Sequence, residues 1–316
     1  MRVSIIGAGR TRNGIGEYIG RYFHANGADV TSVLGTTEGT IERATIALRK
    51  YGILSTPYTN FHRMVEKDKP DAVVIASPSS THYEYLVKCV EMGLSVFCEK
   101  PFIWQQPQDL GRAAEDILEG ARAQKITVAM NSQWPFAMNA YEEMCGKLEE
   151  KRQDRFFMLM SPFSPGKEMI PESVPHPLSL LYCSRGEGEV RDLSVESPLE
   201  REMLIRFNYL SKRGECDVTI RLISQREQPR EFRFGFDDRI VSRRIDLKNY
   251  EIYFQHEGKE MKIVDPVALS VKNFMEAAGK GTEPLIGGAH ILNNLRLLKN
   301  VYDGYEADEK KASWKR

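Results

Sequence analysis

No stretch of this 316-residue chain stays apolar for the length of a membrane span, which excludes a membrane-crossing helix as its organising element. It has no charge excess either. Lysine plus arginine and aspartate plus glutamate both number 44, leaving no electrostatic case for nucleic acid or an anionic membrane as partner. Cysteine is scarce: Cys89, Cys98, Cys145, Cys183 and Cys216 are scattered, odd in number and lack Cys-x-x-Cys or Cys/His ligand spacing. That pattern argues against a disulfide framework and implies no metal; free thiols in a reducing compartment are expected. There is no internal repeat and no low-complexity tract, and the opening strand carries no signal-peptide pattern. The composition is that of a cytoplasmic enzyme long enough for two domains.

What is present is alternation. Residues 3–6 and 30–34 predict strands, with a helix between them marked by Ile15, Ile19, Tyr22 and Phe23 and closed by Gly27. Ile41, Thr45 and Leu48 mark a second helix that ends at Gly52. A weak strand near 57–58, a short helix over 61–66, a buried strand over 71–76, a helix over 81–92, a strand over 95–98, a helix over 107–124 and a strand over 126–130 follow. Strands alternating with helices at this spacing predict a parallel, doubly wound sheet. After residue 130 the texture changes. A helix over 138–148 and a strand over 156–160 lead to strands near 204–209, 216–222, 231–236, 240–245 and 251–256 with few helices between, which predicts a largely antiparallel sheet. Helices near 267–278 and 288–302 close the chain, and the charged tail 306–316 is expected to fray. The expected domains are residues 1–130 and 131–316.

The first strand runs into Gly7 and Gly9, then Gly14 and Gly16. Glycines between a strand and a helix let backbone N–H groups approach a pyrophosphate at the helix N-terminus. The usual G-x-G-x-x-G has Arg12 at its third position, so Gly14 would take the third role in a turn enlarged by two residues. An acid for the adenosine ribose is expected about 20 residues on, at the end of the second strand. That end reads Val33-Leu34-Gly35-Thr36-Thr37, with no acid before Glu38. Thr36 and Thr37 leave room for a 2′-phosphate, and Arg10, Thr11 and Arg12 lie in the enlarged turn, where an arginine fork would suit that phosphate. NADP is therefore favoured over NAD.

Ligands bind outside the carboxyl ends of such strands. The fourth strand ends Ala76-Ser77-Pro78-Ser79-Ser80-Thr81-His82, where Ser77 and Pro78 border the cofactor, His82 either faces the cleft or packs, and one of Ser79, Ser80 and Thr81 caps the next helix. The fifth ends Cys98-Glu99-Lys100-Pro101, and the proline holds Lys100 extended, its ammonium toward the cleft.

The GAG turn, the A-S-P-x-x-x-H strand end and the E-K-P triplet together resemble the glucose–fructose oxidoreductase / inositol dehydrogenase (Gfo/Idh/MocA) family. The resemblance extends to the closing segment 265–274 and to Gly281-Thr-Glu-Pro284. It implies an α/β fold: an N-terminal Rossmann domain joined to a C-terminal α+β domain on a largely antiparallel open sheet, the latter shared in a homodimer or homotetramer. It implies that Lys100 contacts substrate and nicotinamide beside Glu99. Family members carry Asp-x-x-x-His with a second Asp three residues on; here the residues are Glu172, His176 and Ser179. Pro175 and Pro177 flank His176, so a regular helix is expected to start only near it. Where many relatives have an arginine, this chain has Gln133 followed by Trp134: the first offers an amide to substrate, and the second is either an apolar wall for it or interdomain core.

The expected reaction is reversible hydride transfer between a nicotinamide and a secondary alcohol or carbonyl of a small sugar-like or polyol substrate. His176, of ordinary pKa about 6.5, is the candidate base. Lys100 is the donor to the substrate oxygen and Glu172 orients the histidine. The alternatives are an NAD-dependent hydrolase or lyase on the same fold, and a cofactor-binding regulator without turnover.

Overall fold

The computed structural model describes residues 1–9, 14–150 and 153–313. The first eleven elements are β1 (Arg2–Ile6), α1 (Gly16–Ala25), β2 (Asp29–Leu34), α2 (Glu38–Arg49), β3 (Thr56–Tyr58), α3 (Phe61–Asp68), β4 (Ala72–Ile75), α4 (His82–Glu91), β5 (Ser95–Glu99), α5 (Leu110–Gln124) and β6 (Val128–Asn131). Next come α6 (Met138–Cys145), β7 (Arg155–Met160), α7 (Met169–Ser173), α8 (Pro175–Arg185), β8 (Gly188–Leu199), β9 (Glu202–Ser211) and β10 (Gly214–Ile223). The chain continues through β11 (Phe232–Phe236), β12 (Arg239–Asp246), β13 (Glu251–His256), β14 (Lys259–Ile263), α9 (Pro266–Lys280) and α10 (Gly288–Ser313). None of the described helices is long and apolar enough to cross a membrane, and the five cysteines are free.

The chain divides into two compact units. Met1–Ser132 goes with Val267–Leu292, and Gln133–Pro266 with Asn293–Arg316. In the first unit six strands pair in parallel in the order β3-β2-β1-β4-β5-β6. The order reverses between β1 and β4, the switch point where such sheets bind ligands. Ile5, Val33, Val74 and Phe97 are buried on strands with both faces covered, which explains their near-continuous apolar runs. A return segment differs from the expected division at residue 130. α9 brings Val267, Val271 and Phe274 into the same core, where Phe274 meets Phe23 and Phe97 at ring separations of 5.9 and 5.4 Å. Each such aromatic pair adds about 0.5–1.5 kcal/mol to simple burial.

The second unit carries an eight-stranded sheet, β14-β13-β12-β11-β7-β10-β9-β8. Every pair is antiparallel except β7 with β10. β8 and β14 carry no alternation that reveals them. β8 breaks register between Arg191 and Ser194, and β14 buries only Ile263. Two helix boundaries also move. α5 begins at Leu110 under an Asp109 cap, not at 107, and α10 continues to Ser313 through most of the tail expected to fray.

Candidate functional site

A cavity of ≈ 400 Å³ opens at the carboxyl ends of β1, β2 and β4 in the first unit. Its rim includes Gly7, Gly9, Thr36, Arg43, Ser77 and Tyr85. The glycines make it possible by close approach. Gly7 has φ +88°, and a Cβ there would stand 2.6 Å from the Ser77 nitrogen. A Cβ on Gly9 would stand 2.1 Å from the Thr40 carbonyl oxygen, so the first turn lies directly on the opening turn of α2. The third close approach belongs to Gly16, where a Cβ would stand 2.8 Å from the Ala8 Cα. That corrects the assignment of this role to Gly14: α1 begins at Gly16, and Gly14 precedes the helix by two residues. Among the described residues no side chain caps α1, which leaves helix N–H groups for an anionic ligand. Arg10, Thr11 and Arg12 lie outside the described residues.

At the second strand end the two threonines separate in role. Thr37 is the N-cap of α2 and exchanges hydrogen bonds with Thr40: its backbone N–H donates to the Thr40 Oγ1 at 3.0 Å, and its own Oγ1 accepts from the Thr40 N–H at 3.3 Å. The direct cofactor role expected of Thr37 is thereby corrected to shaping the rim, while Thr36 lines the cavity. Sequence reasoning missed Arg43. Long helical side chains lean toward the helix N-terminus. The Arg43 guanidinium accordingly reaches back to 3.6 Å from where a Cβ on Gly39 would be, and it borders the cavity. Its only sequence signal was its place one turn and a half inside a helix that starts at the second strand end. Glu38 occupies the first turn of the same helix and is not among the residues lining the cavity.

The fourth and fifth strand ends are tied together by His82. The ring is buried; Nδ1 lies 2.9 Å from the Pro101 carbonyl oxygen and Nε2 lies 3.0 Å from that of Ser77. His82 thus faces inward, which corrects its expected place on the cofactor and makes it a brace between the Ser77 turn and the E-K-P turn. Nor does a hydroxyl of residues 79–81 cap α4. Thr81 turns its hydroxyl to Ser77 Oγ at 2.7 Å and the Pro78 carbonyl at 2.8 Å. Glu99 accepts from the buried Asn131 side chain of β6, and Lys100 follows, half-buried, with a cis bond to Pro101. Burial pushes the thiol of neighbouring Cys98 well up, so it stays a neutral packing group.

In the second unit His176 is buried at the start of α8. As the flanking prolines predict, the regular helix begins at Pro175 beside His176, although the short stretch before it is also helical. Val174, between α7 and α8, has helical dihedrals of −61° and −28°, and helical hydrogen bonds run from Val174 to Ile170 and from Leu178 to Val174. Glu172 and His176 therefore keep one-turn spacing on helical backbone. The Glu172 carboxylate also accepts from the Phe163 and Ser164 N–H groups at 2.7 and 2.9 Å, fixing the loop after β7. Ser179 is buried and its hydroxyl accepts from Asn294 of α10, which also donates to the Pro175 carbonyl. Trp134 is a correction: it is buried in this unit and stacks on Phe232 with ring centroids 3.8 Å apart, so it is core rather than substrate wall. Gln133 beside it is half-buried.

Residues 1–131 match the family model described as "Oxidoreductase family, NAD-binding Rossmann fold". D-glucoside 3-dehydrogenase of Escherichia coli is 28% identical over 142 residues, 45% of this chain and 37% of that protein. The alignment with that relative thus spans little over a third of its length. Among solved structures, a dehydrogenase from Chromobacterium violaceum has a TM-score of 0.75 at 15% identity, covering 100% of this chain and 99% of that one. UDP-N-acetylglucosamine 3-dehydrogenase from Acidithiobacillus ferrooxidans has a TM-score of 0.71 at 18% identity, covering 97% and 98%. At those identities the structures share the fold. The glycine-built cavity and the matching model agree: residues 1–131 are similar to the NAD-binding Rossmann-fold part of an oxidoreductase family.

Proposed function

We propose that this protein is an NADP(H)-preferring oxidoreductase that moves a hydride between nicotinamide and a secondary alcohol or carbonyl of a sugar-like or polyol substrate. The observation that carries this reading is the cavity at the ends of β1, β2 and β4, built from glycines whose missing side chains let backbone close around it. Gly7, Gly9 and the uncapped start of α1 would hold a pyrophosphate, and Thr36 and Arg43 a 2′-phosphate. Among the described residues no acid lines that rim to receive a ribose hydroxyl. The bound dinucleotide would supply or accept the hydride. Lys100 would donate to the substrate oxygen and steady the charge that builds there. His176 would take the proton from the alcohol, with Glu172 holding the loop and helix that carry it. Assembly as a homodimer or homotetramer through the open face of the second unit's sheet belongs to the same reading. Light scattering would give a multiple of the chain mass, and a monomer at micromolar concentration would count against it.

Sugars, polyols and their oxidised forms, offered with NADP(H) and NAD(H), test the chemistry by nicotinamide absorbance. Turnover with either class of substrate is expected. Product formed with no net absorbance change would replace the reading with a hydrolase or lyase. Tight cofactor binding with no oxidation of any substrate would replace it with a regulator.

A further inference from the structure

Successive residues of β12 point to opposite faces of the sheet. Arg244 faces one side and makes a two-pronged pair with Glu260, both contacts at 2.7 Å, over the Tyr253 ring. Arg243 faces the other. Its guanidinium lies 5.6 Å from the Trp134 ring and 5.1 Å from the Phe232 ring, and one nitrogen donates to the Arg230 carbonyl at 2.8 Å. Its Nε is buried without a hydrogen-bond partner. Arg243 makes no ion pair with any carboxylate of the described residues. Asp265 acts on it at longer range, and Glu231 pairs with Arg233 at 2.6 Å. Burial draws the Arg243 pKa down to about 10, so the charge persists at neutral pH. Half-burying a cation without a direct ion pair is unfavourable, and the two rings compensate only in part.

Two more guanidiniums share the Phe163 ring, and one of them, Arg230, is close enough to act on Arg243. Arg226 and Arg230 lie 5.8 and 5.6 Å from the Phe163 ring. Phe163 is held from both sides, its N–H by Glu172 and its carbonyl by the Ser224 hydroxyl at 3.2 Å. The cationic cluster therefore adjoins the loop that Glu172 fixes, one helical turn from His176.

We infer that Arg226, Arg230 and Arg243 form an anion site that takes a carboxylate or phosphate substituent of the substrate. Guanidinium forks match either group with paired, charge-assisted hydrogen bonds. That the anion is borne on a sugar rests on the proposed function; the site itself does not.

The test is calorimetric titration of the full-length protein, with and without NADP⁺, by glucose, glucuronate and glucose 6-phosphate at low and high salt. At least one anionic sugar should bind tenfold or more tightly than glucose, with the advantage shrinking as salt rises. Which one gains identifies carboxylate or phosphate. Exposed Arg226→Ala should lose about tenfold of that affinity, and Arg243→Lys a comparable factor at unchanged melting temperature. Arg226→Ala guards against a folding defect in the Arg243 variant. Equal binding of glucose and both anions, or undiminished anion binding in Arg226→Ala and a folded Arg243→Lys, overturns the inference. Charge preference without hydride transfer keeps the anion site and removes the dehydrogenase reading. Turnover of neutral sugars without charge preference does the reverse.

Discussion

In the first unit, the cavity is made by what side chains leave out. Gly7, Gly9 and Gly16 each bring one segment of backbone against another, and the rim is closed by short hydroxyl residues. In the second unit, the candidate chemistry is made by long side chains drawn from distant positions: His176 from α8, Glu172 from α7, Arg243 from β12 and Arg226 and Arg230 from the loop before β11. A backbone cradle tolerates any ligand with the right phosphate geometry and leaves substrate choice open. A side-chain cluster discriminates by charge and shape and leaves cofactor choice alone. On the proposed function, cofactor class is a property of the first unit and substrate class of the second.

The contrast breaks most severely at Gly9. Gly9→Ala would force a methyl group against the Thr40 carbonyl, and nothing in the α2 backbone yields easily. Overpacking of this kind costs about 1–3 kcal/mol and should also abolish dinucleotide binding. Gly27→Ala is the control. Its φ of +85° strains any side chain but the space around it is open, so the variant should lose some stability without a clash and bind cofactor normally. Thermal melts and cofactor fluorescence distinguish the two.

Next in size are the reacting groups. His176→Asn should lower kcat by roughly 10²–10⁴ and erase the limb of the pH profile near neutrality, because a general base is lost. Packing damage alone would lower the rate equally at all pH values. Lys100→Met should lower kcat by about 10²–10³ while leaving most cofactor affinity intact. An unchanged rate in either variant removes that residue from the mechanism.

The two units also differ in how far they could be read from residue order. Strand, glycine and helix recur at short range in residues 1–131, so six strands, the cavity and its glycine turn were all legible. The third glycine shifted from Gly14 to Gly16 because helix onset, not spacing, decides which residue touches Ala8. Arg43 was hidden because its reach depends on side-chain lean along α2. In the second unit, Trp134 and Phe232 meet across nearly a hundred residues, and Arg243 is brought beside the two stacked rings only once β11 and β12 pair. No local pattern announces such a contact. β8 stayed hidden for a related reason: a register shift breaks its alternation.

Cofactor choice is a smaller effect. Arg43→Ala should weaken NADP(H) about tenfold or more and leave NAD(H) nearly unchanged, since only the former carries the 2′-phosphate. Equal losses for both would place Arg43 in the fold rather than on the phosphate.

The last effect is on stability alone. Burial lowers the His290 pKa to about 4 from 6.5, so the unfolded chain binds the proton first as pH falls. The stability this group supports is complete above about pH 6.5, declines through the window and is lost below about pH 4. It should amount to roughly 2 kcal/mol between pH 7 and 4.5. Urea midpoints of wild type and His290→Leu at the two pH values should show a flatter dependence in the variant.

The central claim is that backbone around Gly7 and Gly9 holds a nicotinamide dinucleotide and that the second strand end favours its 2′-phosphate. Calorimetric titration of the full-length protein with NADPH and NADH tests it most directly. One site per chain with NADPH bound more tightly is the expected result. A clear preference for NADH would move the ribose contact to Glu38, and no binding of either at millimolar concentration would contradict the account.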